Sequence, residues 1–380
     1  MSDRRRLRVA TRGSALARRQ TATVVEALTE RRYEVDVRVV ETEGDRVRDE
    51  LVENLGTTGA FVRALDEEVL GGEADLAVHS MKDMPTDQPD DLVVAGVPRR
   101  ASARDALVTP DGTGLDGLPA GAVVGTSSVR RRAQLLAARP DLAVEPLRGN
   151  VDTRVEKLLA PSLQREHERR LAAAEGEGGD GSTGDAGGTA GDGDGEDTFA
   201  ESPDEWFDGL AEIERRALGR EVDVEYDAVV LAEAGLRRWG LAGDLSYHAF
   251  APDEFVPAPG QGALAVTARD EAYTDAVRDA LDHPRTRIET TVERIVLAEV
   301  GGGCIAPVGV HAVLQGEYVH AAARVLGGDG DREVAITRDL PVERYAGAAR
   351  DLAADLVERG ADDLVAAAAE PADPPRGDGP

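Results

Sequence analysis

Among 380 residues there is one cysteine, Cys304, in the run Glu299 to Gly309, EVGGGCIAPVG. A lone thiol cannot close an internal disulfide, and without His or Cys neighbours it cannot build a zinc site. Two uses remain: a small buried hydrophobe, or an accessible thiol on a loop marked by three glycines and Pro307. This stretch alone leaves both open. A second chemistry-bearing run is AVHSMKDMP, where an apolar strand ends at Val78 and His79, Ser80, Lys82 and Asp83 follow before Pro85. Ligands of open α/β sheets bind beyond the carboxyl ends of strands, where these polar groups fall. An ordinary solvated strand exit would look similar. Against it, the chain has only two lysines, Lys82 and Lys157, and spends one here. The Ser-x-Lys spacing does not match the Ser-x-x-Lys arrangement of a hydrolase.

The run VVGTSSVRRR ends a strand at Gly125 and places Thr126, Ser127 and Ser128 at the start of a helix. Hydroxyls, free backbone N–H groups and the positive helix end together make an anion site. Arg130 and Arg131 sit in the first turn, where the helix dipole disfavours cations, so a bound anion is expected to compensate them. LRGNVDTR puts Arg148 and Arg154 at the exit of the next strand, Arg12 and Ser14 leave the first strand, and Arg237 and Arg238 follow AEAGL. Guanidinium forks bind carboxylate or phosphate bidentately, so the expected ligand carries several such groups. No Walker-type or Gly-x-Gly-x-x-Gly signature points to a nucleotide.

These groups need a scaffold, and the hydrophobic pattern supplies one. LRVAT, VDVRVVET and ADLAVHS read as strands, with SALARRQTATVVEALTE and FVRALDEEVLGG as helices between them. The alternation restarts with AGAVVGT, SSVRRRAQLLAAR, LAVEPLRGN and TRVEKLL, and YDAVVLAEAGL adds a strand and turn. Two α/β units in tandem predict two lobes with a cleft between them. The polar stretch between Glu41 and Phe61 is long enough for a lid. GEGGDGSTGDAGGTAGDGDGED is low-complexity and predicts disorder, flanked by helices at PSLQREHERRLAAAE and DEWFDGLAEIERRAL. In the latter, Trp206, Leu210, Ile213 and Leu218 form an apolar stripe expected to dock on the second unit. A helix at RTRIETTVERIVLAEV, three strand-like runs with GGDGD as a hairpin turn, and a closing helix make a smaller α+β unit.

Composition narrows the partners. Formal charge is −29, from 73 acids against 44 bases, and 41% of residues are hydrophobic. A chain this acidic repels polyanions, which argues against nucleic acid and anionic membrane surfaces. High acid with scarce lysine suits concentrated salt, as in a halophile. No apolar signal-peptide core follows the N-terminal arginines and no membrane span is visible, so a cytoplasmic location is expected; a monomer is the separate expectation for its assembly.

TRGSALA, ADLAVHSMKDMP, GTSSVRRRAQL, LRGNVDTR, LAEAGLRR, PAPGQGALAV and GGGCIAPVG occur in the order found in the porphobilinogen deaminase (hydroxymethylbilane synthase) family, which the chain resembles. The resemblance implies two periplasmic-binding-protein-like α/β domains plus a smaller α+β C-terminal domain. These would span 1–98 with 263–280 (lid 42–60), 104–257 (acidic insertion 160–222) and 285–370, with a disordered tail at 371–380. It implies assembly of four porphobilinogen units into a linear tetrapyrrole with loss of ammonia, without a metal. It also implies a dipyrromethane cofactor joined to Cys304 by a thioether, which would settle the use of that thiol. Each porphobilinogen carries an acetate and a propionate, so the growing chain is anionic, as the arginines require. Asp83 would stabilise the cationic azafulvene left when ammonia departs. Lys82 would bind cofactor carboxylate. Arg12, Ser14, Ser80, Thr126, Ser127, Ser128, Arg130, Arg131, Arg148, Arg154, Arg238 and Gln261 would bind cofactor and substrate. One departure is the lid, which reads Thr57-Thr58-Gly59-Ala60-Phe61 where the family has Gly-Lys-Gly-Leu-Phe. The insertion is a second departure. The alternative is a non-catalytic anion-binding or ligand-sensing module, which would need the arginines but neither Asp83 nor Cys304.

Overall fold

The computed structural model describes residues 6–40, 60–177, 199–269, 274–303 and 306–369. The β-branched runs of the N-terminal third form β1 (Arg6–Arg12), β2 (Glu34–Val40), β3 (Leu76–Ser80) and β4 (Leu92–Gly96). The second stretch forms β5 (Asp105–Val108), β6 (Val123–Gly125), β7 (Ala143–Glu145), β8 (Ala228–Ala232) and β9 (Tyr247–Ala249). The chain then returns to the first sheet as β10 (Leu264–Arg269).

The two five-stranded sheets share one plan. The first runs β2-β1-β3-β10-β4 and the second β7-β6-β8-β5-β9. In each, three parallel strands lie beside one antiparallel strand, β10 against β3 or β5 against β8. That antiparallel strand is the one entered directly after the chain crosses between sheets, at 97–104 and again at 250–263. The two crossings run side by side, with Ala101 N donating to Gly262 O (3.1 Å).

Helices cover the sheets with their apolar faces. Ala15–Glu30 starts at Ser14, whose side chain accepts from the Ala17 N–H (3.2 Å), and buries Val24 and Leu28 in the first core. Val129–Ala138 starts at Ser128 and buries Ala133 and Leu135. The third unit is an antiparallel sheet of β11 (Val308–Gln315), β12 (Tyr318–Leu326) and β13 (Glu333–Pro341). The helices Pro284–Glu299 and Tyr345–Glu358 share its core through Val296, Val310 and Leu352. Its β12–β13 hairpin touches the second unit at Gly330 (φ 75°), where a Cβ would lie 2.6 Å from Ala133 O and Ala137 N.

Three local expectations need correction. Pro161 does not divide two helices: Val151–Glu177 is continuous through it. Leu158, Leu159 and Ala160 pack in the second core there, and that burial outweighs the roughly 3 kcal/mol an internal proline costs. The stretch around Trp206 is two short helices, Pro203–Gly209 and Glu212–Leu218, because Ser202 and then Glu214, through the Ala211 N–H (2.8 Å), cap two separate starts. Ile213 and Ala217 are buried in the second core, whereas Trp206, Leu210 and Leu218 are half-buried. AEAGL opens a helix, Glu233–Trp239, instead of a turn. Most of the low-complexity stretch (178–197), the lid up to Gly59 and the whole tail, 371–380, lie outside the described residues, as does Cys304.

Candidate active site

Beyond β3 the chain makes one 3-10 turn, Met81–Asp83, which carries both residues singled out in the sequence. The turn is fixed from two sides. Arg294 donates to the carbonyls of Met81 (3.4 Å), Met84 (3.3 Å) and Pro85 (2.6 Å). Opposite, Met81 N donates to Ala263 O (3.1 Å), and a Cβ on Gly260 would lie 2.9 Å from the Met81 side chain. Asp83 is exposed and Lys82 half-buried. Loss of solvation, chiefly, lowers the Lys82 pKa below its ordinary value; Asp83 opposes the shift, and Arg131 and Arg154 from the other sheet add to it. Among the described residues the Lys82 ammonium makes no hydrogen bond or ion pair.

The second sheet meets this turn with a built cluster. Asp105, at the start of β5, is fully buried. Its carboxylate accepts from Arg130 Nη2 (2.7 Å), Arg131 Nε (3.0 Å) and Gln261 Nε2 (3.0 Å). Arg130 and Arg131 are 3% and 6% exposed. Arg130 also donates to Val256 O (2.6 Å) and Arg131 to Val230 O (3.0 Å). The anion expected to compensate these first-turn arginines is therefore the protein's own Asp105, which the sequence reading missed. Its one signal was an acid opening an apolar run, DALV.

The hydroxyls of the same loop shape the backbone. Ser127 Oγ donates to Leu147 O (2.7 Å), Thr126 Oγ1 accepts from Ser128 N (3.2 Å), and Ser128 Oγ accepts from Arg131 N (3.4 Å). Arg148 lies half-buried on the loop after β7. Arg154 donates from Nε to Gly149 O (2.8 Å), a carbonyl presented by left-handed backbone at Gly149 (φ 110°). Burial, then the neighbouring Arg131, pull the Arg154 pKa down to about 10, while Asp83 across the cleft opposes the shift. Arg238 donates to Gly262 O (2.7 Å), and burial lowers its pKa too. Among the described residues neither Arg154 nor Arg238 forms an ion pair. Arg12 stands at the end of β1 with Ser14 two residues on, and Ser80 ends β3.

Two carboxylates outside the sequence reading hold the crossings. Glu293 takes Arg100 in two bonds (2.7 and 3.0 Å) and accepts from the N–H groups of Gly260 (2.7 Å) and Ala312 (2.9 Å). Glu233, fully buried, accepts from Ser102, Arg104 and Arg237. Burial pushes its carboxyl up, but those donors outweigh it and hold the pKa at about 2.

Residues 7–168 and 212–276 match the model of the porphobilinogen deaminase dipyromethane cofactor binding domain, and 287–358 match the porphobilinogen deaminase C-terminal domain. The chain belongs to the porphobilinogen deaminase family. A probable porphobilinogen deaminase of Halobacterium salinarum is 54% identical over 94% of this chain and 97% of that protein. A porphobilinogen deaminase of Thermobifida fusca is 37% identical, covering 95% of this chain and 96% of its own. The methionine binding protein MetQ, at 11% identity and a TM-score of 0.34 over 72% of this chain and 89% of its own, is too remote to bear on the site. As a member of this family the chain is a transferase of tetrapyrrole biosynthesis, polymerising porphobilinogen to hydroxymethylbilane with release of ammonia. The family match leaves out 169–211, within the insertion of 160–222. No helix among the described residues is long and apolar enough to cross a membrane.

Proposed function

We propose that polymerisation takes place in the cleft between the two five-stranded sheets, with Asp83 as its catalytic carboxylate. The observation carrying this reading is that Lys82, Arg154 and Arg238 are half-buried cations that form no ion pair among the described residues, in a chain with 73 acids and 44 bases. Such cations favour an anionic ligand, because a carboxylate returns the charge stabilisation that burial removes. The acetate and propionate groups of porphobilinogen and of a dipyrromethane are ligands of that kind, so the residues present fit the cofactor. Lys82, Arg154 and Arg238, with Arg12 and Arg148, bind those carboxylates. Arg130, Arg131 and Gln261, clasped to Asp105, form the rigid floor on which they stand, and Ser14, Ser80, Thr126, Ser127 and Ser128 shape the loops around it.

Asp83 is exposed at this edge and close enough to Arg154 to influence it. Its carboxylate opposes the positive charge that grows on the substrate as ammonia leaves, and it accepts the pyrrole proton once the new carbon–carbon bond has formed. The dipyrromethane, when bound, supplies the pyrrole carbon from which the chain is extended. We assign its attachment to Cys304, next to Gly303, around which a Cβ would meet nothing within 4 Å. The protein works as a monomer in the cytoplasm, and its charge of −29 with two lysines suits concentrated salt. Its working units are 1–98 with 263–280, 104–257 and 285–370.

Intact-mass measurement tests the attachment. Purified wild type is expected to exceed its sequence mass by two pyrrole units, and Cys304→Ser to match its own sequence mass. Full activity in an unmodified wild type would refute it.

A further inference from the structure

Trp239 closes the short helix Glu233–Trp239, which ends in left-handed Gly240 (φ 91°). Gly240 N bonds back to the carbonyls of Leu236 and Arg237, so those of Arg238 and Trp239 remain open at the helix end. Arg19, on the helix Ala15–Glu30 of the opposite unit, takes both: Nη1 donates to Arg238 O (3.2 Å) and to Trp239 O. Its guanidinium carbon also lies 4.9 Å from the centre of the Trp239 ring. A second guanidinium, Arg216, lies 5.8 Å from the same ring. It belongs to Glu212–Leu218, the helix on which the chain comes back from its insertion. Arg216 is itself held by Glu156 (2.5 Å) and Asp152 (3.2 Å) on the helix Val151–Glu177, and the Glu156 side chain, 1% exposed, also grips Arg220.

We propose that Trp239 is the pin of a latch across the cleft, with Arg19 as the catch from the first unit and Arg216 as the brace from the second. The three are positioning residues for Arg238, the residue just before Trp239 in the chain, and the proposal rests on the reading of Arg238 as a substrate carboxylate binder. Arg19 spans the two units with two hydrogen bonds and a cation–π contact, so it sets how far their edges separate there. Arg216 fixes the orientation of the ring that Arg19 meets, which gives the folded end of the insertion a part in the reaction. Arg238, donating to Gly262 O beside Gln261, keeps its aim only while this helix end is held.

The test uses cofactor-loaded enzyme carrying Trp206→Phe, which leaves Trp239 as the single tryptophan. In this background Arg19→Leu and Arg216→Leu should each shift Trp239 emission without substrate. They should raise KM for porphobilinogen about 3–10-fold with kcat within about 2-fold, as expected when binding alone is lost. Trp239→Phe, which keeps a ring face, should stay within about 2-fold of the parent KM, and Trp239→Leu should match Arg19→Leu. Unchanged emission and KM in folded Arg19→Leu or Arg216→Leu would overturn the latch. So would parallel loss of kcat and thermal midpoint in Trp239→Phe and Trp239→Leu, the mark of a purely structural tryptophan. An Arg238→Leu variant with normal KM would instead refute the role given to Arg238, whereas the emission shift in Arg19→Leu reads the latch alone.

Discussion

Asp105→Asn removes one charge and keeps the shape, at the point where the arginine helix joins the second sheet. The wild-type carboxylate is fully buried and serves two guanidinia, each at 2.7 Å, together with the Gln261 amide. Removing one partner of a buried ion pair typically costs about 3–5 kcal/mol, because the other charge remains buried and uncompensated. Here two guanidinia are left, so the upper part of that range applies. For a unit of 150–250 residues about 1 kcal/mol moves the thermal midpoint by roughly 2–4 °C, so a drop on the order of 10 °C is expected. Burial alone would push the Asp105 carboxyl up, but Arg130 and Arg131 outweigh it and hold it below its ordinary 3.8. A depressed carboxyl contributes its full stability above the unfolded value and loses it as pH falls through the folded one. The gap between wild type and variant should therefore be widest at neutral pH and close in strong acid. Thermal unfolding followed by circular dichroism at both pH values, in one high-salt buffer, measures it. Added salt should leave the gap largely intact, because buried pairs are screened little. A neutral-pH midpoint within about 2 °C of wild type would show that the arginine cluster is not built on Asp105.

Two further outcomes are expected. Arg154→Leu should leave the thermal midpoint of the cofactor-free protein unchanged or raise it, since it removes a cation whose pKa is already drawn down to about 10, while cofactor uptake or chain growth is lost; a lower midpoint with normal uptake would contradict this. Replacing 178–198 by a short Gly/Ser linker should preserve turnover and midpoint, since loop closure changes by only about 0.6 kcal/mol per doubling of length and the segment contains no base to hold an anionic substrate; a large loss of turnover at unchanged stability would give that segment a part in the cycle.

Much of the site was legible because it sits where strands end. Polar residues just past Val78, Gly125 and Leu147 stand out against the apolar runs before them, and parallel strands place such exits along one edge. What was not legible depends on contacts distant in sequence. Four residues of β5 carry no periodic signal, yet β5 is the strand that crosses from one sheet to the other and brings Asp105 to Arg130 and Arg131. β10 has the same role in the first sheet and is framed by turn residues on one side only. Pro161 and Gly235 read as breaks, because propensity is local and the burial of Leu158, Leu159 and Leu236 that overrides it is not. The hydroxyls of Thr126, Ser127 and Ser128 read as ligand donors; within the loop Ser127 donates to a carbonyl, whereas Thr126 and Ser128 accept from N–H groups and keep their O–H to donate.

The central claim is that Asp83 carries the chemistry in the cleft, and Asp83→Asn in cofactor-loaded protein tests it most directly. The side chain is exposed and its replacement isosteric, so folding, thermal midpoint and the mass added by the cofactor should match wild type. Loss of one electrostatic group of this kind typically lowers turnover by roughly two to three orders of magnitude, and ammonia release from porphobilinogen should fall by that much. Release within a few-fold of wild type, in protein shown by its mass to carry the cofactor, would contradict the account.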